Sequence, residues 1–184
     1  RTARVAVAAL LVLVATAGPV HAEVPPPGTD VMRAAASVEI AVDGIGTGYV
    51  RLMGDVSIVR HPPDPGSPDT IPIEIVSLNL MGISPQFGRV EVSRDPGPVG
   101  IGSTLRMVGV ESPSDSFFDV FFDIFLPDLG MTLKSGGPFR IQARTTAVPF
   151  FDVFTGMFSQ RVPLLNEATG MPMGALTHVS LDPN

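Results

Sequence analysis

Residues 116–126 read Ser116-Phe117-Phe118-Asp119-Val120-Phe121-Phe122-Asp123-Ile124-Phe125-Leu126, and this stretch decides the fold class. At period two, Phe118, Val120, Phe122, Ile124 and Leu126 make one wholly apolar face. The opposite face reads Phe117, Asp119, Phe121, Asp123, Phe125. A strand with these faces needs a core on one side and at least partial cover on the other. The same residues also fit a helix, with Phe117, Phe118, Phe121, Phe122 and Phe125 at i, i+4 spacing and Asp119 and Asp123 on a polar edge. Strand is preferred, because Phe, Val and Ile favour strands and the stretch lacks Ala, Lys and Glu.

The flanking sequence supplies further strands. Ser37 to Asp43 alternates, with Val38, Ile40 and Val42 inward. Gly44, Gly46 and Gly48 follow. A phosphate loop would need a helix after them, and none is present, so they read as a hairpin turn. Tyr49 to Arg60 places Val50, Leu52, Val56 and Ile58 on one face, with a bulge expected at Gly54-Asp55. Ile73 to Met81 changes parity part-way: Ile73 and Ile75, then Val76, Leu78 and Leu80. A bulge near Ile75, or burial of both faces, would account for this. Arg89 to Ser93 and Thr104 to Glu111 are short strands, separated by the turn Asp95-Pro96-Gly97-Pro98. Met131 to Lys134 and Phe139 to Thr146 flank Ser135-Gly136-Gly137-Pro138, which reads as a hairpin. Val162 to Leu165, a turn at Asn166 to Gly170, and Met173 to Leu181 complete the series. Phe117-Phe118-Asp119-Val120-Phe121 is echoed at Phe150-Phe151-Asp152-Val153-Phe154, too short a match to make a structural repeat.

The N-terminal region differs in kind. Arg1 and Arg4 precede an apolar run, Val5 to Ala17, and Val20-His21-Ala22 ends on a small residue after Gly18-Pro19. This is the pattern of a secretory signal peptide over residues 1–22, and the run is shorter than the ~20 residues that span a bilayer. Residues 23–36, with Pro25-Pro26-Pro27 and Ala34-Ala35-Ala36, read as an extended linker in which a short helix at Asp30 to Ala36 could form. Residues 37–184 then form one β domain.

Composition narrows the function. Without Arg1 and Arg4, the 12 Lys+Arg fall to 10 against 18 Asp+Glu, a net charge of −8. That argues against nucleic acid and against anionic membranes as partners. The absence of Cys removes thiol catalysis, thiolate metal sites and iron–sulfur clusters. The absence of Trp, with Tyr49 the single Tyr, weakens a sugar-stacking role. Of the histidines outside the leader, His61 lies in a Pro-rich loop and His178 on the polar parity of the last strand. No Gly-x-Ser-x-Gly elbow accompanies them, and no third zinc ligand is evident. Asp64, Asp69, Asp115 and Asp128 read as solvated loop acids, and no Asp-x-Asp-x-Asp calcium run exists. Asp119 and Asp123 would stand about 13 Å apart on one strand face at strand rise, too far for a glycosidase pair.

Ser116 to Leu126, Gly130-Met131-Thr132-Leu133, Pro138-Phe139-Arg140-Ile141-Gln142-Ala143 and Pro163-Leu164-Leu165 with Gly170-Met171-Pro172-Met173-Gly174 together resemble a group of uncharacterised secreted bacterial all-β proteins. The resemblance covers the last third of the chain and implies no activity and no catalytic residue.

The sequence therefore predicts an all-β fold, an antiparallel β-sandwich of about eight to ten short strands, exported from the cytoplasm. The expected role is structural or binding, and not that of an enzyme. No catalytic residue, cofactor site or metal site is expected. The one candidate interaction face is Phe117, Asp119, Phe121, Asp123 and Phe125, for a protein partner or self-association. A hydrolase of an extracellular polymer, using acidic residues, and a calcium- or glycan-binding module are the alternatives.

Overall fold

The computed structural model describes residues 26–66, 70–95, 103–106, 114–145, 152–156 and 160–183. The expected leader, residues 1–22, lies outside the described residues. Strands dominate: β1 (Gly28–Val42), β2 (Gly46–Arg60), β3 (Thr70–Ser84), β4 (Gly88–Arg94), β5 (Ser103–Arg106), β6 (Ser114–Val120), β7 (Phe122–Leu126), β8 (Met131–Ser135), β9 (Phe139–Thr145), β10 (Phe154–Gly156), β11 (Val162–Asn166) and β12 (Pro172–Pro183). All pairings are antiparallel, as the alternation predicts.

The strands do not form two stacked sheets. One ladder runs β1-β2-β3-β4-β7-β8-β11-β12, and β12 pairs back onto β1 from Ala34↔Pro183 to Val42↔Gly174. The sheet closes on itself as an eight-pass barrel. The expected sandwich is corrected to a barrel for a simple reason. Both architectures alternate inward apolar with outward polar residues, and closure depends on which strands pair at the ends. Closure pairs both edges of β1, β2, β3 and β12.

Four passes are continuous and four are pieced. β1, β2, β3 and β12 are 12 to 15 residues long. β4 and β5 both pair with β3, one after the other. β7 and β6 pair with β8 and β9 respectively. β11 and β10 share one edge of β12. Thus Ser135 to Pro138 is not the expected hairpin. It interrupts a pass that then continues in the same direction. Asp95-Pro96-Gly97-Pro98 likewise separates β4 from β5 without reversing the chain, and of it only Asp95 lies among the described residues.

The Phe-rich stretch is a strand pass, not a helix. It breaks at Phe121 without changing parity, so Phe118, Phe122, Ile124 and Leu126 are all buried in the barrel. The parity change in β3 is a true bulge: Ser57 faces Ser77, the next pair is Ile58↔Ile75, and Val76 is the extra residue. A second bulge in β12 makes Thr177 extra between Glu39↔His178 and Ile40↔Leu176. No bulge occurs at Gly54-Asp55. Gly54 instead stays in register, facing Ala34 and Leu80, where a Cβ would stand 1.9 Å from the Asn79 carbonyl oxygen. Glycine lets the strands coil this closely.

The linker reading is also corrected. Residues 28–36 belong to β1, pairing with β2 from Gly28↔Arg60 onward, and Ala34, Ala35 and Ala36 are buried. An Ala run is weakly committed locally, and ladder bonds on both sides outweigh its helical preference.

Candidate functional site

Inside the barrel, apolar side chains stack in layers. At one end Phe87, in the β3–β4 turn, caps the interior above Val90, Leu126, Leu133 and Leu164, all at most 1% exposed. At the other end Phe118 and Phe154 meet with ring centroids 5.1 Å apart and tilted 55°. Beyond them the inward positions turn polar. Ser116 and Thr145, both buried, share a 2.7 Å hydrogen bond. Arg60 grips Asp30 with two bonds of 2.8 and 3.1 Å. These side chains are only 11% and 14% exposed and form a bidentate ion pair at this end.

Between the two ends lies a void of about 60 Å³. All fifteen residues around it are apolar. They include residues beside three irregularities of the wall: Ile75 and Leu78 around the β3 bulge, Leu176 and Val179 around the β12 bulge, and Val120 and Phe122 around the β6–β7 break. Phe139, the first residue of β9, joins them. An apolar void of this kind stays dry and offers a ligand burial alone, with no proton donor or acceptor.

The wall beside this void is completed by side chains and by single backbone bonds, from the Gly136 N–H to the Pro163 carbonyl at 2.8 Å and from the Asp95 N–H to the Phe121 carbonyl at 3.0 Å. The Phe122 N–H donates to Ser135 Oγ at 3.1 Å. The Gln160 carboxamide accepts from the Arg140 N–H at 3.2 Å and donates to the Pro138 carbonyl at 3.2 Å. These bonds replace ladder bonds where β8 gives way to β9 and β11 begins.

The predicted interaction face, Phe117, Asp119, Phe121, Asp123 and Phe125, lies on the outside of the barrel and is mostly engaged. Arg140, opposite Asp119 in register, binds its carboxylate at 2.8 and 2.5 Å and lies 4.2 Å from the Phe117 ring centroid. That carboxylate raises the Arg140 pKa further. Asp123 faces Lys134, which stands 4.0 Å away and also reaches Glu167 at 3.3 Å. Burial raises the Asp123 pKa, and its Oδ1 accepts no hydrogen bond among the described residues. Phe117 and Phe121 are half-buried, and Phe125 is 40% exposed. The two acids are thus held apart by separate cations and do not converge as a catalytic pair.

The histidines also stay apart. His61 Nε2 is 3.9 Å from Glu74. His178 faces Glu39 across the β1–β12 seam. Glu39 accepts a hydrogen bond from the Thr177 hydroxyl, which together with Tyr49 lowers its pKa. Among the described residues, no group of three His, Cys, Asp or Glu is placed to hold a metal ion.

Sequence reading missed the void and its seam. Ser135 gave one usable signal, a polar residue at an inward parity before Gly136-Gly137. Gln160 gave none, since its role depends on which pass lies beside it.

A family model described as "Family of unknown function (DUF6073)" matches residues 19–182. The chain belongs to this family. Among solved structures, it is similar to that of DynF from the dynemicin biosynthesis pathway of Micromonospora chersina. The match has a TM-score of 0.77 at 20% identity and covers 92% of this chain and 86% of DynF. At that identity the likeness is one of fold. No curated protein matches the chain. Among the described residues, no helix is long and apolar enough to cross a membrane.

Proposed function

We propose that the protein is a non-catalytic binding barrel, exported from the cytoplasm, that holds an apolar molecule or group in the void at its waist. The observation that carries this reading is the void's wholly apolar lining inside a closed eight-pass barrel. Barrels of this size are either filled by side chains or hold one small ligand. Here filling is incomplete, and burial at roughly 25 cal/mol per Å² is the only driving force on offer. Export rests on the leader pattern of residues 1–22.

The test is native mass spectrometry of the protein purified from its source, together with titration by a lipophilic fluorescent probe. Wild type should carry or take up one apolar molecule. Ala36→Leu and the milder Val92→Leu, both filling the void, should lose it while staying folded. Equal uptake by these variants would refute an interior site. Intact mass of the exported protein should begin at Glu23.

A further inference from the structure

We propose that the outer wall formed by β2 and β3 is a contact between two copies of this chain, related by a twofold axis over Met53 and Met81. This surface is separate from the barrel interior and from the Phe117 to Phe125 face, so the proposal stands without the interior-binding reading.

Three observations converge. First, exposed apolar side chains gather here. Met53 and Met81 face each other across the β2–β3 ladder, Ile83 follows two residues along β3, and all three are more than half exposed. Tyr49 extends the patch along β2. Single exposed apolar residues need no partner, but a contiguous patch marks an interaction surface. Methionine and arginine are also among the residues enriched at such contacts. Second, β2 carries opposite charges on either side of Met53. Arg51, Met53 and Asp55 point outward in turn, in the order cation, apolar, anion. At a strand rise of ~3.3 Å per residue Arg51 and Asp55 stand about 13 Å apart, too far to pair within one copy. Among the described residues Arg51 forms no ion pair, and Asp55 has only Arg33, at 3.8 Å with both side chains exposed. Third, the charges around the patch balance. Arg33, Arg51 and Arg89 stand against Glu39, Asp55 and Glu91, whereas the whole chain carries −6. Two copies can meet here without the repulsion between acids that other faces impose, and the patch offers no net charge to nucleic acid or to an anionic membrane.

The arrangement follows from self-complementarity. An axis lying across the strands over the Met53–Met81 pair reverses each strand against its copy. The methionines then meet the same residues of the second copy, and Arg51 comes over the partner's Asp55. The symmetry makes this ion pair twice. Face-to-face sheets cross at about 30°, an offset that the long Arg51 side chain can follow. Apolar burial supplies the affinity, and the two crossed ion pairs fix the orientation. Two convex walls touch over less than the usual ~800 Å² per partner, so the dimer is reversible.

The experiment is sedimentation velocity on the protein between about 1 and about 200 μM, the span in which a contact of this size assembles. Wild type should pass reversibly from monomer to dimer. Arg51→Glu and Asp55→Arg should each weaken the dimer roughly tenfold or more, because each sets like charges opposite one another twice. The double variant Arg51→Glu/Asp55→Arg should return Kd to within about threefold of wild type, since the pairs form again with their signs exchanged. Met53→Lys should abolish the dimer over this range, and Phe125→Ser, on the other face, should leave it unchanged. All these side chains are exposed, so thermal melts should match wild type. A monomer at every concentration refutes the proposal. A dimer that survives Met53→Lys, or that Phe125→Ser dissolves, lies on another face and also refutes it. Single swaps that weaken the dimer without rescue by the double variant refute the twofold arrangement.

Discussion

Leu52→Ala tests whether the interior is a rigid, preformed void. Leu52 is 0% exposed and lines it. The lost transfer free energy alone costs about 2 kcal/mol, and each further ~50 Å³ of unrelaxed space adds about 1.2 kcal/mol at roughly 24 cal/mol per Å³. A wall held by long, doubly paired strands relaxes little, so the expected cost is about 3–4 kcal/mol. That leaves a domain with ordinary stability of about 5–15 kcal/mol still folded. The enlarged void would approach the roughly 150 Å³ that takes up benzene. The assay is urea unfolding followed by far-ultraviolet circular dichroism, since the chain has no Trp and one Tyr. Benzene at about tenfold over its Kd should restore about 1.4 kcal/mol to Leu52→Ala and nothing to wild type. A cost under about 1 kcal/mol with no benzene effect would mean that the wall collapses onto the site, and the argument from a preformed void would fail.

Three other outcomes are expected. Gly54→Ala should cost more than about 2 kcal/mol, because its Cβ would meet backbone at 1.9 Å, whereas Gly137→Ala, with nothing within 4 Å, should cost under about 1 kcal/mol in the same urea assay. Arg140→Gln should lose about 1–3 kcal/mol, less than a fully buried pair, since Asp119 is 7% exposed but Arg140 41%; an Asp119→Asn/Arg140→Gln double variant should recover part of it. The pH signs of two acids should be opposite in thermal melts at pH 3 and pH 7. Burial raises the Asp123 pKa, so its contribution is present below the ordinary carboxylate pKa and lost as pH rises, and Asp123→Asn should stabilise at pH 7. The Thr177 hydroxyl, then Tyr49, lowers the Glu39 pKa, so its contribution is present at pH 7 and lost as pH falls; Glu39→Gln should destabilise at pH 7 and be neutral at pH 3.

What the sequence disclosed was local. The inward face of residues 116–126 was legible because parity survives the break at Phe121. The β3 bulge was legible because two residues, Val76 and Ser77, lie between Ile75 and Leu78, where unbroken alternation on one face would put an odd number. The barrel was not legible, because Ala34↔Pro183 joins residues almost the length of the chain apart and neither carries a mark of the other. The Gly136-Gly137-Pro138 run was misread for a related reason. Glycine and proline announce that a ladder stops, but whether the chain then reverses is set by the neighbouring passes. The outer face was identified in place but not in character, since the Arg140 and Lys134 that neutralise its acids lie on partner strands.

The division between continuous and pieced passes gives the barrel two unequal sides. β1 and β2 pair without a break over fifteen residues, and the β2–β3 and β1–β12 ladders run long with one bulge each, so local opening there must break many bonds together. The other side is assembled from segments of three to seven residues, joined in places by single side chains. Opening there breaks few bonds, so its free energy cost sits far below that of global unfolding. A uniformly laddered barrel could enclose the same void but would exchange its contents only by unfolding. The unequal wall lets the long ladders keep the shape of the void while the short segments open locally.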